Sequence, residues 1–420
     1  MTDPAITDQG RVATEVAAWP AADLRARVER VLDFAALVVD EFGGTGYADE
    51  HVPELGFRAE KVIAEAAMLA YAAAAPDAGD GIRERIDALT AALAPLARSR
   101  VARADVALHP ERAFQRAVPH VLLTALGRPD PDFGDLVGRQ CARVLAHAAD
   151  HAPTVLAERD WVARVWRRPF ASGPVVAGIL EQPFDLALDS RDDAYGLTHR
   201  LFYFTDFGRS PRAGLDRDRL FADLDSLIAR YLSREDYDLT AELLTAWPQL
   251  RQPWSPAAAF AFRLLADAQD AVGVLPCGNI DEERLAVLTG RDRTRYARAT
   301  SYHTAFVWGI LCASALLPDA APPVMFGVPG PAFEAPQTFL AMTGDDRAEW
   351  RPAFADCSAD EQRALLPLLC DIGLTQSLHG RDFRTVQAIL AAADHHSLPT
   401  TSLARAAADV LIAIQAAAAL

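Results

Sequence analysis

The side chains with the greatest chemical potential in this chain are two histidines and an aspartate, each embedded in apolar sequence. His199 lies in LTHRLFYFTDFG, His303 in YHTAFVWG and Asp238 in DYDLTAELL. An imidazole among apolar neighbours is a general acid or base, a metal ligand, or a hydrogen-bonded core residue, according to what surrounds it. If the helices carrying them point at one cavity, Asp238, His199 and His303 converge as catalytic groups, and Cys277, in a loop, can join them. Aspartate, cysteine and histidine together can hold zinc, whose bound water or thiolate is a strong nucleophile. Zinc is therefore the cofactor that Asp238, Cys277 and His303 make possible. The structural account competes: DYDLTAELL is also an ordinary helix start, where acidic residues suit the helix dipole.

Around these residues stand groups that can bind substrate. Tyr203, Trp247, Tyr302 and Trp308, with Phe202 and Phe306, offer ring faces that stabilise a cation. Asp206 and Arg209 in TDFGRSPR follow a helix break at Gly208, where they can hold an anionic group at a cavity mouth or simply cap and pair locally. His147 and His151 have i, i+4 spacing, but Pro153 argues that their helix is ending. The chain contains no H-E-x-x-H, G-x-S-x-G, Walker loop, dinucleotide glycine fingerprint or C-x-x-C, which removes the sequence-level case for a zincin, serine hydrolase, nucleotide triphosphatase or nicotinamide enzyme.

The elements that must position these groups read as helices throughout. Of 420 residues 51% are hydrophobic and 23% charged, the balance of a chain that buries extensive helix surface. Alternating β-branched runs are scarce, whereas Ala, Leu, Arg and Glu recur with helical spacing, so the fold class is all-α. Amphipathic segments near 22–42, 80–98, 132–149, 216–232, 256–271 and 358–372 are expected on the outside. More apolar ones near 57–75, 110–127, 192–207, 236–248, 300–317 and 401–419 are expected inside, which gives about six hairpins. Residues 1–10 are expected to be disordered and 11–420 to form a single helical domain, with long Pro- and Gly-rich loops near 169–190 and 318–335.

The formal net charge of -16 lacks the concentrated positive field that nucleic acid requires. Five cysteines, odd in number and widely spaced, fit reduced thiols, and with a polar start in place of a secretory signal they point to the cytoplasm. No apolar run is long enough to predict a transmembrane segment. The expected partner is a small apolar molecule or a peptide.

Two short matches extend this reading. Residues 257–277, AAAFAFRLLADAQDAVGVLPC, place Gln269 and Gly273 in a pattern that resembles the Q-x-x-x-G helix ending of α/α-toroid enzymes such as class II terpene cyclases and protein prenyltransferase β subunits. Val274 stands where those families often carry an aromatic. Asp236-Tyr237-Asp238-Leu239-Thr240-Ala241 resembles the D-x-D-D-T-A acid motif of the cyclases, with Leu239 in place of the third aspartate. The resemblance implies paired helices in a toroid and an enzyme of specialised metabolism that cyclises or rearranges an isoprenoid-like substrate. It makes Asp238 the proton donor and His199 or His303 its polarising partner or base. The zinc-dependent cyclase or transferase remains an alternative, and so does a noncatalytic helical scaffold.

Overall fold

The structure, a computed structural model, describes residues 18–43, 59–75, 78–145, 153–167, 178–180, 182–187, 191–210, 214–278, 280–325, 336–344 and 348–418. Helices dominate it, and among the described residues no strand forms beyond an isolated antiparallel bridge between Ala18 and Val324. Residues 1–10, expected to be disordered, and the pair His147 and His151 lie outside the described residues, as do parts of both expected loops.

The first half of the chain folds into α1 (Ala21–Phe42), α2 (Ala59–Ala73), α3 (Asp80–Ala97), α4 (Arg100–Leu108), α5 (Ala113–Ala125), α6 (Pro131–Leu145), α7 (Pro153–Trp166) and α8 (Arg191–Thr205). There follow α9 (Arg217–Leu232), α10 (Tyr237–Leu244), α11 (Ala246–Gln249), α12 (Pro256–Val272), α13 (Glu282–Val287) and α14 (Gly290–Ala315). The remainder comprises α15 (Pro336–Met342), α16 (Trp350–Ala355), α17 (Ala359–Ala364), α18 (Leu366–His379), α19 (Phe383–His395) and α20 (Ser402–Ala418).

Local chemistry explains where several of these begin and end. In α12 the Ser255 side chain accepts the Ala258 N–H, Pro256 supplies the first helical φ, and Gly273 closes the helix in the left-handed conformation at φ 89°. Asp236 caps α10 by accepting the Leu239 N–H. The segment expected as one helix over 358–372 is two, α17 and α18, because Pro367 cannot donate the hydrogen bond that would carry the first through.

The helices that matter for a site form a succession of neighbours. Helix α2 packs on α5, α5 on α7, α7 on α8, α8 on α10, α10 on α14, and α14 returns to α2. The amphipathic α1 lies against α14, α3 and α2 from outside, burying Leu24, Val28, Val31, Leu32, Ala35 and Val38. Gly309 permits that approach: a Cβ there would sit 2.7 Å from Val31 Cγ1 and 2.8 Å from Leu69 Cδ1. At the other end of α1, Gln269 Oε1 receives both the Arg27 guanidinium and the Trp308 indole N–H, each at 2.8 Å. One buried amide thereby joins α1, α12 and α14, with Asp270 adding an ion pair to Arg27 at 2.7 Å.

Two expectations about inner helices are overturned. Helix α20 is not a member of the succession; it packs on α18, α9 and α19, and Ile412 is 63% exposed. Its alanines raise the mean hydropathy while each methyl buries little area, so an apolar composition does not oblige burial there. The vacant place is taken by α7, whose sequence TVLAERDWVARVW carries enough charge to read as a surface helix. Helix α18 also packs on α9, which ties the C-terminal helices to the rest. Among the described residues no helix is long and apolar enough to cross a membrane. None of the five cysteines forms a disulfide among the described residues.

Candidate functional site

The inward faces of five neighbouring helices carry ionisable groups that meet. Helix α10 presents Asp238 and, one turn later, Glu242, because i, i+4 spacing puts both on one face. Both are buried, with the Glu242 side chain 1% exposed. Helix α14 brings His303, α8 brings His199, α2 brings Glu65 and α7 brings Glu158 close by. His303 Nε2 lies 3.5 Å from Asp238 Oδ1 and 3.7 Å from Glu242 Oε1, while His199 Nε2 lies 3.6 Å from the same Glu242 oxygen. These separations are longer than good hydrogen bonds. The histidine side chains are 26% and 41% exposed, so the imidazoles lie between the buried carboxylates and the open side.

The outward atoms of the same side chains are tethered. Glu65 Oε2 holds His303 Nδ1 at 3.0 Å, the Thr198 hydroxyl donates to Glu242 Oε2, and the Tyr195 hydroxyl donates to Asp238 Oδ2. Asp238 Oδ1, by contrast, is buried with no hydrogen-bond donor. Three residues therefore have the far atom fixed and the near atom aimed at a shared point. Asp238, Glu242 and His303 offer ligand atoms within 4.8 Å of one another. Four ligands at the ~2.0–2.1 Å bond lengths of a tetrahedral zinc stand roughly 3.3 Å apart. Three of the pairwise separations, 3.5–3.7 Å, come near that value, while the Asp238, Glu242 and His303 set as a whole spreads to as much as 4.8 Å and His199 falls outside it.

The electrostatics follow from burial and proximity. Burial alone would depress the His303 imidazole, but Asp238 and Glu65 outweigh it and hold the pKa well above the ordinary value. His199 is likewise raised, because Glu242 overcomes the desolvation of its ring. Burial pushes Glu65 and Glu242 up, yet the facing histidines more than compensate and both remain below the usual carboxylate range. Asp238 goes the other way: desolvation, reinforced by Glu242, exceeds the pull of His303 and raises it. Such opposed shifts in a small buried cluster make it the candidate functional site of the described residues.

Two expected binding residues adjoin this centre. The Tyr203 hydroxyl reaches Glu158 Oε1 at 3.4 Å and its ring stacks on Trp161, while Tyr302 lies against Glu65, and burial together with that carboxylate raises its hydroxyl pKa. The other expected residues are placed elsewhere. Cys277 does not join the ligating groups; its backbone N–H donates to Ser301 Oγ at 3.3 Å, and residues 301 and 303 point to different sides of α14. Asp206 accepts the Trp161 indole N–H at 2.7 Å and the Tyr71 hydroxyl at 3.1 Å, and Arg209 donates to the Tyr71 and Ala74 carbonyls at the end of α2. That pair fastens helix ends rather than an anion. Trp247 packs edge-on to Phe221, and Trp308 packs on Phe262 and bonds Gln269, so both indoles belong to the apolar core.

Glu65, Glu242 and Glu158 were not singled out from the sequence. The signals were present: a glutamate one turn after Asp238 on the same face, and an acid in the middle of the apolar helix AEKVIAEAAMLAYAA. Tyr195 and Thr198 carry no such signal, since hydroxyls near helix starts are commonplace.

A family described as a domain of unknown function, DUF6895, matches residues 10–313. The chain belongs to the DUF6895 family. The matched span contains Glu65, Glu158, His199, Asp238, Glu242 and His303, and it ends inside α14, before the C-terminal helices. No curated protein and no solved structure matches the chain.

Proposed function

We propose that this protein is a metal-dependent enzyme whose centre is held by Asp238, Glu242 and His303, with His199, next to Glu242, as the adjacent general base. The observation that carries the reading is the tethering pattern: the far atoms of Asp238, Glu242 and His303 are each fixed by a hydrogen bond or ion pair, and the near atoms face one another at distances too long for hydrogen bonds. Outer partners that fix ligand orientation are characteristic of metal sites. One imidazole nitrogen and two carboxylate oxygens, with positions left for water or substrate, suit a borderline divalent ion such as zinc, iron or manganese. Such an ion supplies Lewis-acid activation of a bound oxygen or nitrogen. Glu65 holds His303 in one tautomer, and His199, the more exposed imidazole, moves a proton at the substrate.

The order of neighbours from α2 through α14 and back supports an α/α-toroid arrangement with this centre inside it, and a cyclisation or rearrangement of a small molecule is the reaction class in keeping with that placement. The noncatalytic scaffold is disfavoured by the cost of burying three carboxylates where apolar side chains would pack more stably. A second reading keeps the residues and omits the ion: Asp238, kept neutral by burial, is the proton donor, and the His303 imidazolium and the Tyr195 hydroxyl stabilise its anion. Elemental analysis of the purified full chain separates the two. Stoichiometric metal, lost in His303→Ala and Asp238→Asn with helicity retained, supports the centre. Metal-free protein that gains no ion on titration with zinc, iron(II) or manganese(II) refutes it.

A further inference from the structure

Arg159, on α7, is a buried cation without a counter-ion. It is 8% exposed, and its Nε and Nη1 atoms are buried with no hydrogen-bond partner. Among the described residues it forms no ion pair. Other buried arginines are answered: Arg27 by Asp23, Asp270 and Gln269, and Arg230 by the Leu186 carbonyl.

The groups nearest Arg159 do not answer it. Its guanidinium lies over the Phe114 ring, 4.5 Å from the centroid, which covers one face and leaves the N–H edges open. The neighbouring Cys141 thiol is buried, which pushes its pKa up to about 12 and keeps it protonated and uncharged. Glu158, the preceding residue, attracts the guanidinium without pairing with it; its hydrogen bond comes from Tyr203 and its other charged neighbour is His199. Desolvation outweighs both attractions and lowers the Arg159 pKa. A guanidinium held out of water with open N–H groups is costly, and an anion that brings two oxygens to the fork removes that cost.

The surface beside it is apolar. Val155 and Leu156, four and three positions earlier, share its side of α7 and are 37% and 48% exposed. A long side chain on a helix covers the turn N-terminal to its own Cα, so Arg159 and these two side chains border one patch.

We infer that this patch binds a small amphiphilic monoanion, a carboxylate on an aliphatic chain, with the carboxylate on the Arg159 fork and the chain along Val155 and Leu156. A single negative charge neutralises the guanidinium. Phosphate brings surplus charge into a poorly solvated place and has nothing to lay on the apolar side chains. The inference stands apart from the metal centre, because Arg159 contributes nothing to the cluster of Asp238, Glu242 and His303.

The test is isothermal titration calorimetry on the full-length protein with octanoate, octanol, acetate and phosphate. Octanoate is expected to bind about tenfold or more tightly than octanol, which lacks the charge, and than acetate, which lacks the chain. Arg159→Met is expected to bring octanoate down to the level of octanol with circular dichroism unchanged. Leu156→Ser, an exposed substitution, is expected to weaken octanoate several-fold. Octanol or phosphate binding as tightly as octanoate overturns the inference, as does a preference for octanoate that survives Arg159→Met or is untouched by Leu156→Ser. Should Arg159→Met fold poorly, the ranking of the probes on the wild type and the response to Leu156→Ser still decide.

Discussion

Asp371 offers a quantitative test of the packing that joins the C-terminal helices to the body. It lies on α18, 2% exposed, and accepts hydrogen bonds from Ser226 Oγ on α9 at 2.7 Å and Thr401 Oγ1 at the start of α20 at 2.5 Å. Burial raises its pKa from 3.8 to about 6, the two hydroxyls offsetting only part of the desolvation. A carboxyl whose folded-state pKa is raised favours the folded state while it is neutral. Its stabilising contribution is therefore complete below about pH 4, declines as pH rises, and is gone above about pH 6. The interval from 3.8 to about 6, at about 1.36 kcal/mol per pH unit, amounts to about 3 kcal/mol. Asp371→Asn keeps the shape and removes the titration. Urea unfolding of wild type and variant at half-unit steps from pH 4 to pH 8 brings out the contribution, because titrating groups that do not interact with Asp371 cancel in the difference. The wild type is expected to lose about 3 kcal/mol relative to the variant across that range, most of it below pH 6.5. Asp225, raised to about 7 by burial and pushed further by the Asp371 charge, titrates in both proteins but less far up in the variant, so the difference also carries a smaller Asp225 contribution near pH 7. A difference that is flat with pH, or one that grows in favour of the wild type as pH rises, refutes the argument.

Further expectations concern other layers of the molecule. Gly309→Ala forces a methyl to within 2.8 Å of Val31 and Leu69 side chains, and overpacking of that kind should cost about 1–3 kcal/mol by thermal unfolding. Gln269→Leu strands the Trp308 indole N–H, while Arg27 loses one acceptor and keeps Asp270 and Asp23, and an equilibrium loss of about 1–3 kcal/mol is expected in urea. Glu65→Gln should leave far-ultraviolet circular dichroism unchanged while lowering metal affinity by about 10–100-fold in a chelator competition, because it loosens His303 without removing a ligand.

How much of this was legible in the sequence depends on what each residue had to reveal. Helices were plain wherever leucine and alanine recur at helical spacing, as in α1 and α9, and His303 stood out because a polar ring interrupts an otherwise apolar segment. Asp238 and Asp236 looked alike in sequence, yet only the structure separates them: Asp236 caps the helix and pairs with Arg191 at 2.7 Å, while Asp238 turns inward. Glu242 and Glu65 were invisible as members of the buried cluster because their meaning lies in which helices meet, a property no local window contains. Trp247 and Trp308 show the converse error, for an aromatic on a buried helix packs a core as readily as it lines a cavity. Helix α7 was missed because its charged residues gave it a surface pattern, and α20 was misplaced because alanine is apolar without needing to be covered.

The return of α14 onto α2 has a consequence for how the molecule comes into being. His303 lies more than two hundred positions after Glu65. As the chain is made, Glu65, Glu158, His199, Asp238 and Glu242 emerge in turn; Lys61 and His199 can answer some of the acids early, but Glu65 and Asp238 meet their shared imidazole only when α14 arrives. Loop closure over such a span is slow, and contacts between distant segments form late. The emerging chain therefore presents a collection of acids with no gathering point, and the helix that completes the circuit is also the one that creates the centre. Assembly and the capacity to act would be gained in a single event.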